Sequence, residues 1–269
     1  MRGIVKFIIA LLLGGVSLLT YWCNTQENEF TGQQQHVDMT VQQEIALGLQ
    51  ATPEMEQQYG GLHPDREAAE KVKEIGQRLV QSTEVKQSPY NFDFHLLADE
   101  ETVNAFALPG GQVFITAGLL KRLNSEGQVA GVLGHEIGHV VARHSAQQLA
   151  KAKLTQGLTG AAAIATYDPD NPSSRSGAVV AAMVGQLMNM RYGRQDELEA
   201  DKLSVRLTTG SGYDPKAMVE VMKILEQASG GAGGPEFLQT HPNPGNRIAE
   251  IERAIQEEYP NGLPAGLKQ

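Results

Sequence analysis

Cysteine is nearly absent from the 269-residue sequence, which contains Cys23 alone. A single cysteine allows neither an intrachain disulfide framework nor a zinc site built from several thiolates. Basic residues are also in the minority, because 22 Lys and Arg face 31 Asp and Glu and leave a net charge of −9. A nucleic-acid binder needs clustered Lys and Arg to contact phosphates, and the sequence has no such cluster. We therefore expect no nucleic-acid partner, and any metal must bind to His and carboxylate side chains.

Charged residues are missing from a long run near the N-terminus. Arg2 and Lys6 precede Phe7–Trp22, which is uncharged and largely apolar. Counted from Ile4, a helix here would be roughly 28 Å long, enough to reach across the hydrocarbon core of a bilayer. The basic start predicts a cytoplasmic N-terminus and export of the rest of the chain.

Three fates of this segment remain open. An uncleaved anchor, which we favour, would place Tyr21 and Trp22 at the far membrane interface. A cleaved signal peptide needs small residues before the cut, and Tyr21-Trp22-Cys23 supplies none. A lipoprotein would be lipidated at Cys23, although Trp22 stands where bacterial lipoboxes usually carry Gly, Ala or Ser. Residues 1–23 therefore form a signal or membrane anchor, and the polar residues 24–39 are predicted to be a tether.

The remaining pattern predicts one α+β domain over residues 40–260, mainly helical with a small β-sheet, and a C-terminal tail over 261–269. Capping boxes at Thr40–Gln43 and Ser125–Gln128 open two of its helices, and the second is expected to run unbroken to Leu149. Further helices are expected at Asp65–Gln81, Arg194–Gly210, Pro215–Ala228 and Gly245–Glu258. Strands are expected at Phe92–Leu96, Asn104–Leu108 and Gln112–Thr116, the last two joined by the turn Pro109-Gly110-Gly111.

Two apolar segments follow the second capped helix. Leu154–Thr166 and Gly177–Met190 contain 13 and 14 residues, with the loop Tyr167–Ser176 between them. Both are shorter than the roughly 20 residues that a membrane-spanning helix needs. We therefore predict that they are buried helices.

The pentapeptide His135-Glu136-Ile137-Gly138-His139 has the form HExxH and lies inside the second capped helix. Four residues make about 400° of helix, so both imidazoles project from one face and can bind a single ion. Glu136 lies about 100° further round, where its carboxylate can act as general base toward a water on the metal. The alternative is a helix that carries two unrelated histidines, and the capped start argues against it.

A catalytic zinc needs a third protein ligand, and the residues just after the motif do not supply one. In the extended pattern HExxHxxGxxH, the glycine and histidine positions are occupied here by Ala142 and Ser145, which excludes that class. On an unbroken helix, His144 would lie about 180° away from His135. That placement predicts a surface position or a supporting role for His144.

The third ligand is therefore expected from another helix, and Asp196–Asp201 offers an acidic one. At a spacing of four residues, Glu197 and Asp201 share a helix face, whereas Glu199 points away from both. Asp201 would also be within reach of the free N–H of a ligand histidine and could set its tautomer. A solvated acidic helix face is the alternative interpretation of this run.

These motifs together resemble the M48 family of zinc metalloproteases, closest to LoiP-like members of the bacterial cell envelope. The resemblance extends over roughly Val41 to Glu258 and rests on His135–Ser145, Glu197–Asp201, Asn104–Gly111 and Thr240–Pro242. It implies a zincin-type metallopeptidase domain with one Zn²⁺ per chain on His135, His139 and Glu197. It further implies Glu136 as catalytic base and Asp201 as an acid or supporting group beside the metal.

The resemblance also implies a location and a substrate class. The chain would lie on the exported side of the bacterial cell envelope, held at the membrane through its N-terminal segment or a lipid. Its substrates would be unfolded or extended proteins. The main alternative is a non-catalytic envelope chaperone that holds polypeptides in the same cleft, and hydrolysis of a non-peptide amide is a further one.

Two features are expected to shape the substrate cleft. Glycines at 127, 131, 134 and 138 form a stripe without side chains on the motif helix, so a neighbouring helix or sheet can approach closely. The strand Gln112–Thr116 is predicted to be a sheet edge to which an extended peptide adds through backbone hydrogen bonds. At such an edge, Phe114→Pro would weaken substrate binding and leave the fold intact.

His241 precedes Pro242 in a loop rich in Pro and Gly, and the resemblance places this pair at the rim of the active site. Three interpretations remain open. His241 is a surface histidine, a donor that stabilises the oxyanion, or a group that occupies the open position of zinc in a resting state. We favour the oxyanion donor, because a neutral rim histidine needs no special closed state.

Overall fold

A computed structural model describes residues 2–166, 187, 190–229, 234–242 and 246–269. Its helices are α1 (Arg2–Cys23), α2 (Val41–Gln58), α3 (Arg66–Gln81), α4 (Ala117–Leu120), α5 (Glu126–Val141), α6 (His144–Thr166), α7 (Arg194–Gly210), α8 (Ala217–Ala228), α9 (Glu236–Thr240) and α10 (Arg247–Glu258), with a 3-10 turn at Glu84–Gln87. The strands are β1 (Thr25–Glu27), β2 (Gln34–His36), β3 (Asp93–Leu97), β4 (Ala105–Ala107) and β5 (Gln112–Thr116). A mainly helical chain with small sheets confirms the predicted α+β class.

The three-stranded sheet has the order β3-β5-β4, which places Gln112–Thr116 in its centre. β5 pairs in parallel with β3 and antiparallel with β4, and all its residues are buried. The prediction that this strand is an edge is therefore wrong, because it already has a partner on both sides. Phe114→Pro would consequently remove a hydrogen bond inside the sheet and unfold it. In the described part of the chain, β4 lies at one end of this sheet.

The segment 24–39, expected to be a polar tether, contains the antiparallel hairpin β1–β2. Asn28 and Gln35 are 3% and 2% exposed, and the Asn28 amide donates to the Val141 carbonyl at 2.9 Å. This contact satisfies a carbonyl that the end of α5 leaves free. The tether interpretation is corrected accordingly: the segment is held against the end of α5 through the side chain of Asn28.

The C-terminal residues 261–269 end against the domain. The Lys268 backbone N–H donates to Gly212 at 2.9 Å, and its carbonyl accepts from the Asp214 N–H at 2.7 Å. These two bonds join the predicted tail to the turn after α7.

The motif helix is shorter than expected, because α5 ends at Val141 and α6 begins at His144. Between them Arg143 has a φ of 58°, a left-handed conformation that interrupts the helical hydrogen bonds. Its guanidinium is held by the buried Glu44 carboxylate at 2.8 Å and by the Met39 carbonyl at 2.7 Å. The expected unbroken helix to Leu149 is therefore wrong, and the break turns His144 back toward α5.

The last two glycines of the stripe, Gly134 and Gly138, let α7 approach α5 closely, as predicted. A Cβ built on Gly138 would lie 3.1 Å from both the Cα and the carbonyl oxygen of Ala200, which are parts of the α7 backbone. At Gly134 the nearest atom would be the Ser204 hydroxyl, also at 3.1 Å. This close packing brings the acidic residues of α7 to the motif face of α5.

The N-terminal helix α1 is long and apolar enough to cross a membrane over Ile4–Cys23. The helix α6 lies alongside it, and Gly157 approaches Ser17 closely. The first predicted buried segment is not buried where its side chains are described, since Leu158 is 38% exposed. The reason is that α6 packs mainly against α1, which is itself exposed, and much less against the core of the domain. The second segment, 177–190, and the loop 167–176 fall almost entirely outside the described residues.

Candidate active site

Four buried side chains meet at one point: His135 and His139 from α5, Glu197 from α7, and His241 just after α9. Each offers one ligand atom, and these atoms all lie within 4.8 Å of one another. The Nε2 atoms of His135 and His139 are 3.0 Å apart, and the Glu197 carboxylate lies 3.5 and 3.4 Å from them. Two imidazoles and a carboxylate, with a further position beside them, are a donor set typical of catalytic zinc.

Unpaired atoms at this point support a cation site. His241 Nε2 and both carboxylate oxygens of Glu136 beside it are buried without a hydrogen-bond partner. Buried polar atoms are nearly always paired in proteins, so unpaired ones that converge need a ligand to satisfy them. Burial acts to raise the pKa of Glu197, but His241 and the two histidines of α5 outweigh it and lower that pKa well below its usual range. The carboxylate is thus held in the charged form that binds a metal.

The His135 side of the cluster is an ion-pair network. The His135 Nδ1 atom is 2.9 Å from Asp201, which Arg247 contacts through two nitrogens at 2.7 and 2.8 Å. A third nitrogen of Arg247 is 2.8 Å from the Glu197 carboxylate. An Asp201 carboxylate that accepts the Nδ1–H of His135 leaves Nε2 free for a metal. The structure thus brings Asp201 to His135, where the sequence placed it.

The sequence interpretation missed Arg247 as a site residue. Arg247 is 1% exposed, and its guanidinium lies against the Glu197 and Asp201 carboxylates of α7. A signal was present in the sequence, because Arg247 shares one helical stripe with Ile251 and Ile255, which are both buried. A charged residue on an apolar stripe needs a buried partner of opposite charge.

On its other side, His139 contacts an imidazole and an aromatic ring. His139 Nδ1 lies 2.8 Å from His144 Nδ1, and His144 Nε2 lies 3.2 Å from the Glu199 carboxylate. The Tyr192 ring stacks on His139 with centroids 3.9 Å apart, and its hydroxyl is 2.9 Å from that of Ser145. The predicted surface position of His144 is wrong, because the helix break buries it completely. Glu199 does not contact the ligands, as expected, but it reaches one of them through His144.

Glu136 is fully buried beside the cluster. Both of its carboxylate oxygens lack a hydrogen-bond partner, and one lies 3.6 Å from His241 Nε2. Burial raises the pKa of this carboxyl above its ordinary value. A carboxylate without a partner and with a raised pKa is suited to accept a proton.

His241 lies among the ligand atoms. Its Nδ1 is 3.0 Å from the Glu197 carboxylate and 3.3 Å from His135 Nε2, and its ring stacks on Phe237 at 4.5 Å. The interpretation of His241 as a surface histidine is wrong, since the residue has no exposed area. The stacking and the short helix α9 carry it inward from the rim.

A cleft runs from this cluster along β4. Phe106 and Ala107 of β4 line it together with Glu236 and His241. The Glu236 carboxylate accepts a hydrogen bond of 2.8 Å from the Asn104 amide, so α9 is joined to the start of β4. The cleft therefore leads directly from the end strand of the sheet to the candidate metal ligands.

Residues 66–255 match the family described as Peptidase family M48. The chain belongs to this family. It is similar to the Beta-barrel assembly-enhancing protease of Escherichia coli (strain K12), with 32% identity over 195 residues, 70% of this chain and 39% of the relative. It is also similar to the Mitochondrial metalloendopeptidase OMA1 of Schizosaccharomyces pombe, with 33% identity over 171 residues, 63% and 48% of the two chains. The chain thus spans less than half the length of these relatives.

Membership in the M48 family confirms the resemblance seen in the sequence, and with it the α+β fold. Membership in a peptidase family agrees with the interpretation as a metallopeptidase. The cluster of three histidines and one glutamate fits the metal binding that the family implies.

Proposed function

We propose that this chain is an endopeptidase that binds one Zn²⁺ through His135, His139 and Glu197. The convergence of these buried side chains, whose ligand atoms lie within 4.8 Å of one another and of His241, carries the proposal. Bound zinc supplies a Lewis acid that polarises the peptide carbonyl and lowers the pKa of water at its open position.

The proton transfers belong to Glu136. Its buried, unpaired carboxylate accepts a proton from the attacking water and then delivers it to the leaving amine. Asp201 does not need to transfer a proton in this scheme. It accepts the Nδ1–H of His135 and is itself held by Arg247, so it keeps the ligand imidazole in one orientation.

We propose extended protein segments as substrates, bound along β4 instead of the strand that was first expected. The Leu108 N–H donates to Gln112, and the Asn104 carbonyl accepts from Thr116. Because these groups alternate along an antiparallel strand, the backbone groups of Ala105 and Ala107 face the opposite side. A peptide that pairs with those groups is recognised by its backbone, which suits unfolded proteins.

For His241 we propose the resting-state role, in which it occupies the open position of zinc. Its Nδ1 atom at 3.0 and 3.3 Å from two ligand atoms supports this role over that of an oxyanion donor. The roles make opposite forecasts for His241→Ala at matched zinc content. Removal of a blocking group raises turnover, whereas removal of an oxyanion donor lowers it by roughly 10²-fold. An unchanged rate contradicts both roles.

We also propose that residues 1–23 attach the chain to a membrane of the bacterial envelope. The apolar helix over Ile4–Cys23 supports attachment. The mass of the purified protein separates the three fates of this segment. The full-length mass indicates an anchor, a diacyl or triacyl adduct on an N-terminal Cys23 indicates lipidation, and a truncated unmodified chain indicates cleavage.

Metal analysis combined with degradation of an unfolded protein tests the proposed activity. Wild type is expected to contain zinc and to degrade reduced, unfolded casein. Glu136→Gln should keep the zinc and lose 10²- to 10⁴-fold in turnover, because only the proton acceptor is removed. The matched control is Glu70→Gln, the same change at an exposed residue of α3. A wild type that holds casein without cleaving it would support the chaperone alternative.

A further inference from the structure

A chain of hydrogen-bonding groups leads from the ligand His139 to the protein surface. The His139 and His144 rings face each other through their Nδ1 atoms at 2.8 Å, and His144 Nε2 faces the Glu199 carboxylate at 3.2 Å. His144 is fully buried, and the side chain of Glu199 is 27% exposed. The chain therefore has one buried end at the metal site and one end open to solvent.

The direction of the hydrogen bonds follows from the ligand atom. His139 points its Nε2 at His135 and Glu197, so this nitrogen must be unprotonated when it binds a metal. A neutral His139 then carries its proton on Nδ1 and needs an acceptor there. His144 Nδ1 can accept only if its own proton sits on Nε2, which then donates to Glu199. One arrangement of neutral imidazoles satisfies both contacts.

We propose that His144 and Glu199 are positioning residues for His139, an inference that rests on the metal site proposed above. Glu199 accepts the Nε2–H of His144, and His144 accepts the Nδ1–H of His139. His139 is thereby kept in the tautomer and ring orientation that present Nε2 to the metal. Ligand histidines commonly donate their second N–H to a carboxylate, and here an additional imidazole stands between the two.

The helix break between α5 and α6 makes this arrangement possible. On a continuous helix His144 would point away from His139, and the left-handed Arg143 turns it back. Left-handed conformations of non-glycine residues are strained and persist where surrounding contacts hold them. Arg143 has such contacts in Glu44 and Met39. The left-handed Arg143 and the hydrogen-bonded chain from His139 through His144 to Glu199 are thus parts of one local structure.

The tautomer of His144 is the direct readout. In the zinc-loaded full-length protein with ¹⁵N-labelled histidine, long-range ¹H–¹⁵N spectra separate rings protonated at Nδ1 from those protonated at Nε2. His144 should carry its proton on Nε2, and His139 should carry its proton on Nδ1. A His144 ring protonated on Nδ1 would overturn the proposal, whatever the activity of the protein.

Zinc affinity, measured by competition with a chromogenic chelator, tests the function of this hydrogen-bonded chain without any substrate. His144→Phe and Glu199→Ala should each weaken zinc binding by roughly 10- to 100-fold. His144→Gln should recover most of the loss, because its amide oxygen can accept the Nδ1–H of His139. The double variant His144→Phe/Glu199→Ala should bind no more weakly than His144→Phe, since Glu199 acts only through His144.

The matched control is Asp196→Asn, which also changes a carboxylate of α7 that contacts α6. Its carboxylate accepts from the Gln148 amide at 2.6 Å and from the Gly193 N–H at 2.9 Å, both outside the histidine chain, and an asparagine can still accept there, so the zinc affinity of this variant should equal that of wild type. Additive losses in the double variant, or an unchanged zinc affinity in Glu199→Ala, would overturn the proposal that Glu199 acts on His139 through His144. If wild type binds no zinc, or His139→Ala binds it fully, the metal site itself fails, which is a distinguishable result.

Discussion

The two ligand histidines of α5 are held from opposite sides by different kinds of contact. His135 is held by Asp201 and Arg247, which are 2% and 1% exposed and form a charged pair with two hydrogen bonds. His139 is held by the His144 imidazole, and the side chain of the carboxylate behind it, Glu199, is 27% exposed. The first side is closed to solvent, and the second opens to it.

Because of this difference, changes on the His135 side should alter the stability of the fold, whereas changes on the His139 side should alter metal binding. A buried charge whose partner is removed has no water to replace it, so a break on the His135 side must destabilise the folded chain. An exposed carboxylate regains water when its contact is lost, so a break on the His139 side should act mainly on ligand orientation. The same catalytic helix therefore carries one ligand tied to the fold and one that can be adjusted separately.

The largest expected effect is that of Arg247→Met, which removes the cation of the closed side. It leaves Asp201 and Glu197 buried together without their shared partner, and breaking such a pair costs roughly 3–5 kcal/mol. Urea unfolding of the metal-free protein measures the loss. The control is Arg253→Met on the same helix, whose guanidinium is exposed and pairs with Glu250. A similar loss in both variants would remove the distinction between the two sides.

An intermediate effect is expected for Gly138→Ala, which acts where α5 meets α7 and so on both sides at once. Its Cβ would press on the backbone of Ala200 at 3.1 Å, and overpacking of this kind costs about 1–3 kcal/mol. Gly134→Ala is the matched variant, because it meets the Ser204 hydroxyl and a methyl group of Thr208, which are side-chain atoms. The free energy of unfolding should be lower for Gly138→Ala than for Gly134→Ala. The reverse order would mean that the α7 backbone can shift.

Local signals in the sequence predicted much of this structure. Thr40 and Ser125 both cap the helices that they were expected to open. The four-residue spacing of His135 and His139 was sufficient to place both rings together, because a helix repeats every 3.6 residues. Local rules succeed here because the partners of each interaction lie within one turn of the chain.

The failures share a dependence on distant residues. The break at Arg143 relies on Glu44, which lies on another helix far earlier in the sequence. The central position of β5 depends on which strands pair, and its alternation of residues is compatible with an edge as well. Arg247 becomes a site residue only because the fold places Asp201 beside it. The pattern of residues within one segment does not show which distant residues will contact it.

The smallest effect is expected for Tyr192→Phe, which removes one neutral hydrogen bond on the His139 side. The ring that stacks on His139 remains, and only the contact of 2.9 Å with Ser145 is lost. A hydrogen bond of this kind contributes about 0.5–1.5 kcal/mol to stability, so zinc affinity should stay within a few-fold of wild type.

Ser145→Ala should lower the free energy of unfolding somewhat more, because the buried tyrosine hydroxyl is then left without a partner. The double variant Tyr192→Phe/Ser145→Ala closes the cycle and isolates the coupling of the two hydroxyls. If Tyr192→Phe destabilises the chain as strongly as Arg247→Met, the His139 side is as tightly tied to the fold as the His135 side, and the contrast between them is wrong.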